Sequence, residues 1–324
     1  MFPRLRYCEL PSVSDHSSVV GPVTETKPGA PPLAYGPESI ITRTIYSSST
    51  TEKKETYTYD AQGRATVKTT YNKSGGAWQL SNRYEYTYDT SGKLTLAAYS
   101  YWSSGTSSWT ETLRDAWSWG THGPTNIDHS TNYTGSWKVT GKTIYEYDTA
   151  GRLSAMLKKG ITTTGQFKLD SRKDFSYSAD GRLGTLESGY DSSGTWKQNK
   201  PVWHAYLDGR LATISRSATS QRDVFAYLAD GRIDRVVKDT YYTYSGPTGL
   251  TGKRVYTYDA QKRLEKVQTY AHDLKTDTWT LSGEVLITHT TAGSSHFFEQ
   301  DPYPLRQWLI DWYGVGEPNR YATP

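Results

Sequence analysis

One short pattern recurs almost from end to end of this chain, and that recurrence restricts the fold to a repeat architecture. The pattern joins aromatics, a turn and a basic residue, and stands complete at Tyr145-Glu146-Tyr147-Asp148-Thr149-Ala150-Gly151-Arg152-Leu153. Aligned on the residue just before the turn, the copies are anchored at Tyr59, Tyr88, Trp119, Tyr147, Tyr177, Tyr206, Tyr227, Tyr258 and His289. Trp119 and His289 belong to two worn copies. The steps between the nine anchors are 29, 31, 28, 30, 29, 21, 31 and 31 residues. Such a period marks units that each bury an apolar face only against their neighbours.

A second marker runs in phase with the first. Trp78, Trp109, Trp137, Phe167, Trp196 and Trp279 each lie ten residues before an anchor, which excludes chance as their source. Each unit reads as a hairpin with a physical reason for its turn. In Asp60-Ala61-Gln62-Gly63 the aspartate accepts backbone N–H groups and the glycine takes a left-handed conformation as the next strand begins. Asp89 to Gly92, Asp148 to Gly151 and Ser178 to Gly181 repeat that chemistry. Asp208-Gly209 suits a two-residue type I′ turn, and Lys262 stands where glycine is usual, at a cost of roughly 1 kcal/mol.

Between turns the period is two. Trp78, Leu80, Tyr84, Tyr86 and Tyr88 share one parity and are expected on one face, with Gln79, Ser81, Arg83, Glu85 and Thr87 on the other. The expected fold is all-β: an elongated antiparallel meander, or a β-solenoid-like array, of about nine hairpin repeats of roughly 30 residues. Aromatics make up 14% of the chain, which suits a sheet held by cross-strand aromatic pairs rather than by a thick aliphatic core.

Three regions are expected. Residues 1–40 form an extended Pro/Ser/Thr-rich arm or linker, in which Val19, Val20 and Val23 are candidates for adding to a sheet edge. Residues 41–295 form the repeat array. Residues 296–324 form an aromatic and Pro-rich cap or docking tail, with Trp308, Leu309 and Trp312 as its apolar contacts. An open array leaves two unpaired edges, which a protein must blunt or use. The 21-residue step between Tyr206 and Tyr227 implies a shortened hairpin and a kink or change of curvature.

The unit Tyr-x-Tyr-Asp-x-x-Gly-Arg-Leu resembles the YD repeat of the rearrangement-hot-spot (Rhs) family. The resemblance covers about four-fifths of the chain and implies a bacterial protein of the cell surface or exterior. The chain looks most like stand-alone YD-repeat proteins, since a toxin domain and the self-cleaving core of toxin-bearing members are not recognisable in it. No secretory signal is visible at the N-terminus, so the extracellular or surface location is expected from the repeat type alone.

Chemistry is sparse. The one cysteine, Cys8, permits neither a disulfide framework nor a cysteine metal site. The seven histidines show no metal-ligand spacing, and His204 and His289 stand where the repeat puts aromatics. No nucleophile elbow or phosphate loop occurs. No catalytic residue, cofactor or metal ligand is therefore assigned. A net charge of +4 spread over 70 charged residues argues against a nucleic-acid partner, and no apolar run is long enough to span a bilayer as a helix. Asn72 and Asn132 begin N-x-S/T sequons, and Asp148-Thr149-Ala150 resembles a bacterial O-glycosylation acceptor at Thr149.

These features imply a non-catalytic structural protein whose partner is itself, a rod joining head to tail into a filament. Two other readings stand beside it: a carbohydrate-binding or adhesion module presenting Tyr99, Trp102 and Trp203 to a polysaccharide, and part of a toxin-enclosing shell.

Overall fold

A computed structural model describes residues 37–46, 48–215, 221–240 and 249–289, all within the compact unit Pro32–Pro324. Cys8, the arm residues Val19, Val20 and Val23, and the tail residues Trp308, Leu309 and Trp312 lie outside the described residues. Nineteen strands are described. They are β1 (Pro37–Ile45), β2 (Thr50–Tyr59), β3 (Ala65–Ser74), β4 (Ala77–Tyr88), β5 (Leu94–Ser103) and β6 (Ser108–Trp119). Then follow β7 (Pro124–Tyr133), β8 (Ser136–Tyr147), β9 (Leu153–Ile161), β10 (Phe167–Tyr177), β11 (Leu183–Ser192) and β12 (Thr195–Gln198). The last are β13 (Val202–Leu207), β14 (Arg210–Ser215), β15 (Gln221–Tyr227), β16 (Ile233–Thr240), β17 (Gly249–Tyr258), β18 (Leu264–Asp273) and β19 (Thr278–His289).

The described residues are all-β, but the open meander or solenoid-like array is corrected. β1 pairs antiparallel with β2 and also with β19, so the sheet closes on itself as a barrel. Both β12 and β13 pair with β11, so the nineteen strands occupy eighteen positions around the wall. The interruption lies at residues 199–201, one hairpin before the short step in the repeat. β1 starts at Pro37, inside the segment assigned to the N-terminal arm, and it is the strand that completes the ring.

Closure follows from complementary ends. Ile40 lies opposite Ile287, and these two side chains form a buried cluster with Tyr57, flanked by Tyr59, Leu264 and Val285. On the other face of the seam, Arg43 lies opposite Glu284 and is bonded to it at 3.0 Å, while its Nε reaches Glu52 of β2 at 2.5 Å. An arginine thus ties three strands together across the junction of the chain's two ends.

Turn geometry explains the hairpins. Gly63, Gly92, Gly151 and Gly181 have φ between 76° and 84°, where a side chain is strained, and Lys262 accepts φ 66° in the same place. Asp208 and Gly209 both have positive φ, as a type I′ turn requires. Away from these turns the hairpins carry a β-bulge, in β3–β4, β5–β6, β7–β8, β9–β10 and β18–β19. That bulge corrects the face assignment in β4. Trp78 and Leu80 lie opposite Lys73 and Tyr71, whereas Tyr84 lies opposite Lys68. Odd and even positions of β3 point to opposite faces, so the extra residue at Ser81 moves Trp78 and Leu80 off the face that carries Tyr84, Tyr86 and Tyr88.

The hydrophobic clusters form a band on this anchor face, just beneath the rim that bears the Asp-containing turns, while Ala98, Ala155 and Leu157 are buried on the opposite face. Tyr86, Ala65, Leu94 and Ala97 form one cluster of it, and Val236, Tyr256 and Val267 another. Charged groups occupy mid-strand positions on both faces: Glu55 with Lys53 and Lys68 on the anchor face, Arg43 with Glu52 and Lys142 with Asp128 on the opposite one. Neither face is a continuous apolar belt.

We predict that Arg43→Ala lowers stability by about 1 kcal/mol, since it removes the contact across the seam to Glu284 and the contact to Glu52 of β2 at once. Arg235→Ala, which breaks only a pair with its chain neighbour Asp234, is expected to have little effect. Urea denaturation with an unchanged slope measures both, and equal effects would contradict the seam's role.

Candidate functional site

The strongest assembly of side chains is a ladder around the Asp-turn rim. It begins at each turn. The Asp60 carboxylate accepts the backbone N–H groups of Gln62 at 3.0 Å and Arg64 at 2.9 Å, and the Arg64 guanidinium at 2.6 Å. Asp148 holds Ala150 and Arg152, and Asp259 holds Gln261 and Arg263, in the same way. At Asp148 the Arg152 backbone N–H is the largest influence and outweighs burial, and the Arg152 side chain adds to it, so the carboxyl is held below its usual range. At Asp60 burial pushes the other way, but the same set of donors prevails.

The oriented cation then covers the anchor ring of the following unit. Arg64 lies 4.6 Å from the Tyr88 ring centre, Arg152 4.6 Å from Tyr177, Arg182 5.5 Å from Tyr206, Arg210 5.6 Å from Tyr227 and Arg232 4.3 Å from Tyr258. Lys93 does the same for Trp119 at 5.8 Å. Eight of the nine anchors in turn reach across to the neighbouring strand. Tyr59, Tyr88, Tyr147, Tyr177, Tyr227 and Tyr258 donate their hydroxyls to the carbonyls of Pro37, Ala65, Pro124, Leu153, Leu211 and Ile233, at 2.7–2.9 Å. Trp119 Nε1 and His289 Nε2 make the equivalent bonds to Leu94 and Leu264, at 2.7 and 2.8 Å. The worn copies therefore preserve the donor while changing the ring.

A second ladder occupies the opposite face, and here the sequence reading missed a partner. Five residues before the anchors stand Arg83, Arg114, Lys142 and Lys253. They cover the minus-ten aromatics of the next unit: Arg83 on Trp109 at 4.9 Å, Arg114 on Trp137 at 4.1 Å, Lys142 on Phe167 at 4.9 Å and Lys253 on Trp279 at 4.3 Å. Trp78 is covered by Lys73 at 5.5 Å. In the last unit the minus-five position is Glu284, the residue that bonds Arg43 across the seam. Pro201 in the unit of Tyr206 also departs from the pattern, but only Glu284 reverses the charge, and it makes the closing contact.

The structure also brings together three residues that no motif linked. His129 Nδ1 is 2.6 Å from Asp115 Oδ1, and His129 Nε2 is 2.8 Å from Thr143 Oγ1. This has the connectivity of an acid–base–nucleophile relay, spread over β6, β7 and β8. Thr143 is only 3% exposed, however, and the backbone amides around it are engaged in the strand ladders. A nucleophile needs access and free oxyanion donors, so the cluster serves here to satisfy a buried hydroxyl. The equal 14-residue spacing of Asp115, His129 and Thr143, about one strand plus a turn, is the signal that could have found it.

Among the described residues, no three His, Cys, Asp or Glu side chains are grouped to hold a metal ion. Two of the aromatics expected to face a polysaccharide are packed instead: Trp102 edge-on to Trp109 at 5.1 Å and Tyr99 edge-on to Tyr84 at 5.1 Å. Trp203 is 39% exposed. Of the candidate glycosylation sites, Thr149 is exposed at a turn. Asn72 is exposed and donates to Ser81, and Asn132 accepts the N–H of Gly135 in its own turn.

No family model and no curated protein matches the chain. Among solved structures it is similar to a protein of unknown function from Bacteroides fragilis, at 20% identity and a TM-score of 0.35, over 38% of this chain and 91% of that one. A porin-like protein from Bacteroides uniformis aligns at 13% identity and a TM-score of 0.35, over 78% of this chain and 98% of the other. The TcdB2-TccC3-TEV structure aligns at 13% identity and a TM-score of 0.29, over 81% of this chain, which spans 16% of that one. Similarity at this level assigns neither a family nor a function.

Burial pushes the Tyr258 phenol up to about 12, against the nearby Arg232 cation. Burial likewise raises Tyr227. A phenol that ionises later when folded contributes stability below its unfolded value near 10, and loses it as pH rises through the folded value. We predict stability falling between about pH 10 and pH 12. Tyr258→Phe should cost about 1 kcal/mol at pH 7 and flatten part of that alkaline slope; an unchanged urea midpoint would show that the hydroxyl does not anchor the wall.

Proposed function

We propose that the protein is a non-catalytic structural protein of the bacterial cell exterior, built as a stiff closed β-barrel. The observation that carries this reading is the pair of side-chain ladders. They occupy the recurring polar and aromatic positions of the repeat and link each unit to the next up to a closed seam. Groups that an enzyme would leave free for a substrate are here consumed in joining neighbours. The exterior location rests on the resemblance of the Tyr-x-Tyr-Asp-x-x-Gly-Arg-Leu unit to the YD repeats of Rhs-like proteins.

Charge placement bears on how such a barrel meets its surroundings. A lipid-facing wall needs a tall apolar band, and a lysine or arginine at mid-membrane costs about 2–4 kcal/mol. With ion pairs at mid-strand on both faces, the wall suits water on each side. Closure also changes the expected mode of assembly. β1 and β19 are paired with each other, so the terminal strand edges are not available to a neighbouring subunit. On this reading head-to-tail joining falls to residues 1–36 and 290–324, which lie outside the described residues.

We predict that the full-length protein forms higher oligomers or filaments, detected by light scattering after gel filtration and by negative-stain microscopy. A version lacking residues 1–36 should stay monomeric with an unchanged far-UV spectrum. A full-length monomer at high concentration, or polymers that persist without the arm, would sink this assembly route.

A further inference from the structure

The wall ladder fails at one unit, where Trp196 lacks its cation, and a second exposed tryptophan, Trp203, lies on the same face. Trp196 occupies the minus-ten position that at Trp109, Trp137, Phe167 and Trp279 lies beneath the minus-five cation of the preceding unit. The cation assigned to it by position is Arg172. Its guanidinium turns instead to Asp174 at 2.7 Å, with Glu146 at 3.6 Å. Trp196 is 44% exposed and lies over Gly189, where a β-carbon would come within 2.5 Å of its ring. The ring is thus seated against the sheet at Gly189, with much of its surface open to solvent. Its Nε1 donates to Gln198 Oε1 at 3.3 Å.

Trp203 stands beyond the interruption between β12 and β13. Trp196 lies opposite Asp191 of β11, Gln198 opposite Gly189, and Trp203 opposite Thr185. Positions 185, 187, 189 and 191 alternate along one strand, so both tryptophans and Gln198 share a face. Arg172 and Asp174 of β10 lie opposite Gly189 and Glu187 on that same face. The result is a strip with an indole towards each end and a guanidinium, carboxylates and an amide between them. The backbone positions of the two tryptophans are six residues of β11 apart, and since the Trp196 ring leans to Gly189 the strip between the indoles covers about four residues, about 13 Å at the rise of a strand.

We propose that this strip binds a neutral oligosaccharide or polysaccharide chain. The apolar faces of two sugar rings would rest on Trp196 and Trp203, and hydroxyls of the intervening rings would be bonded by Gln198, Glu187 and the Arg172–Asp174 pair. An amphipathic ring with a polar edge matches that alternation. A purely apolar partner would strand the charged groups between the indoles. The carboxylates Asp174, Glu187 and Glu146 against the single guanidinium disfavour an acidic chain. The separation of the rings requires several linked sugars rather than one.

The test is native gel electrophoresis of the full-length protein in gels containing dextran, mannan or xyloglucan, with alginate as the acidic comparison. Retardation by at least one neutral polymer is expected. It should weaken about fivefold in Trp196→Ala and in Trp203→Ala, and vanish in the double variant. Glu187→Gln, which leaves the rings in place, should also weaken it. Thermal transitions matching the parent confirm that each variant is folded. Trp203→Phe, which keeps a ring, should retain most of the binding and covers the case in which an alanine variant is unstable. Passage unretarded through all neutral gels, retardation indifferent to both tryptophans, or retardation by alginate alone would overturn the proposal.

Discussion

The wall depends on a three-part contact passed from one hairpin to the next. An aspartate in the turn fixes an arginine, the arginine covers the next anchor ring, and that ring's donor reaches a carbonyl one strand back. The aspartate and the ring each take part in two bonds of different kinds, which makes the unit specific about its neighbour as well as about its own turn. A thick aliphatic interior is not needed. Buried apolar groups form a band below this rim, and the aromatic and cationic ladder on the opposite face stiffens the lower wall.

A repeat of identical units has no intrinsic end, and the seam shows how this one stops. The minus-five cation that would reach forward to a further unit is replaced by Glu284, which turns to Arg43 of β1. His289 keeps the hydrogen bond of an anchor without the phenol. Ile40 and Ile287 supply the apolar half of the closure. Charge reversal at one position, with a matched cation in the first strand, supplies the polar half.

The repeat, its hairpins, the conformation of the turn glycines and the phase of the two aromatic series were legible because they follow from local chemistry and spacing. Lys262 at positive φ and the Asp208-Gly209 turn are examples. Closure was not legible, since it depends on a contact between residues from opposite ends, Arg43 and Glu284, that no periodicity marks. The β4 faces were misread because the bulge at Ser81 is invisible to parity. The relay of Asp115, His129 and Thr143 was missed for a related reason: its members come together only after three strands are in register. That Trp196 lacks the covering cation was not legible either, since it depends on Arg172 turning to Asp174 and not on the spacing of the repeat.

The closed seam is the central structural claim, and a cross-link tests it most directly. Thr42 lies opposite Val285 in the β1–β19 pair, and opposed antiparallel residues are about 4.5–5.5 Å apart at Cα, within reach of a disulfide. In a Cys8→Ser background, Thr42→Cys combined with Val285→Cys should oxidise to an intramolecular disulfide in the monomer, visible as faster migration on non-reducing gels and by mass. Thiols that stay free under mild oxidation, or disulfides that form only between chains, would show that the two ends of the sheet do not meet.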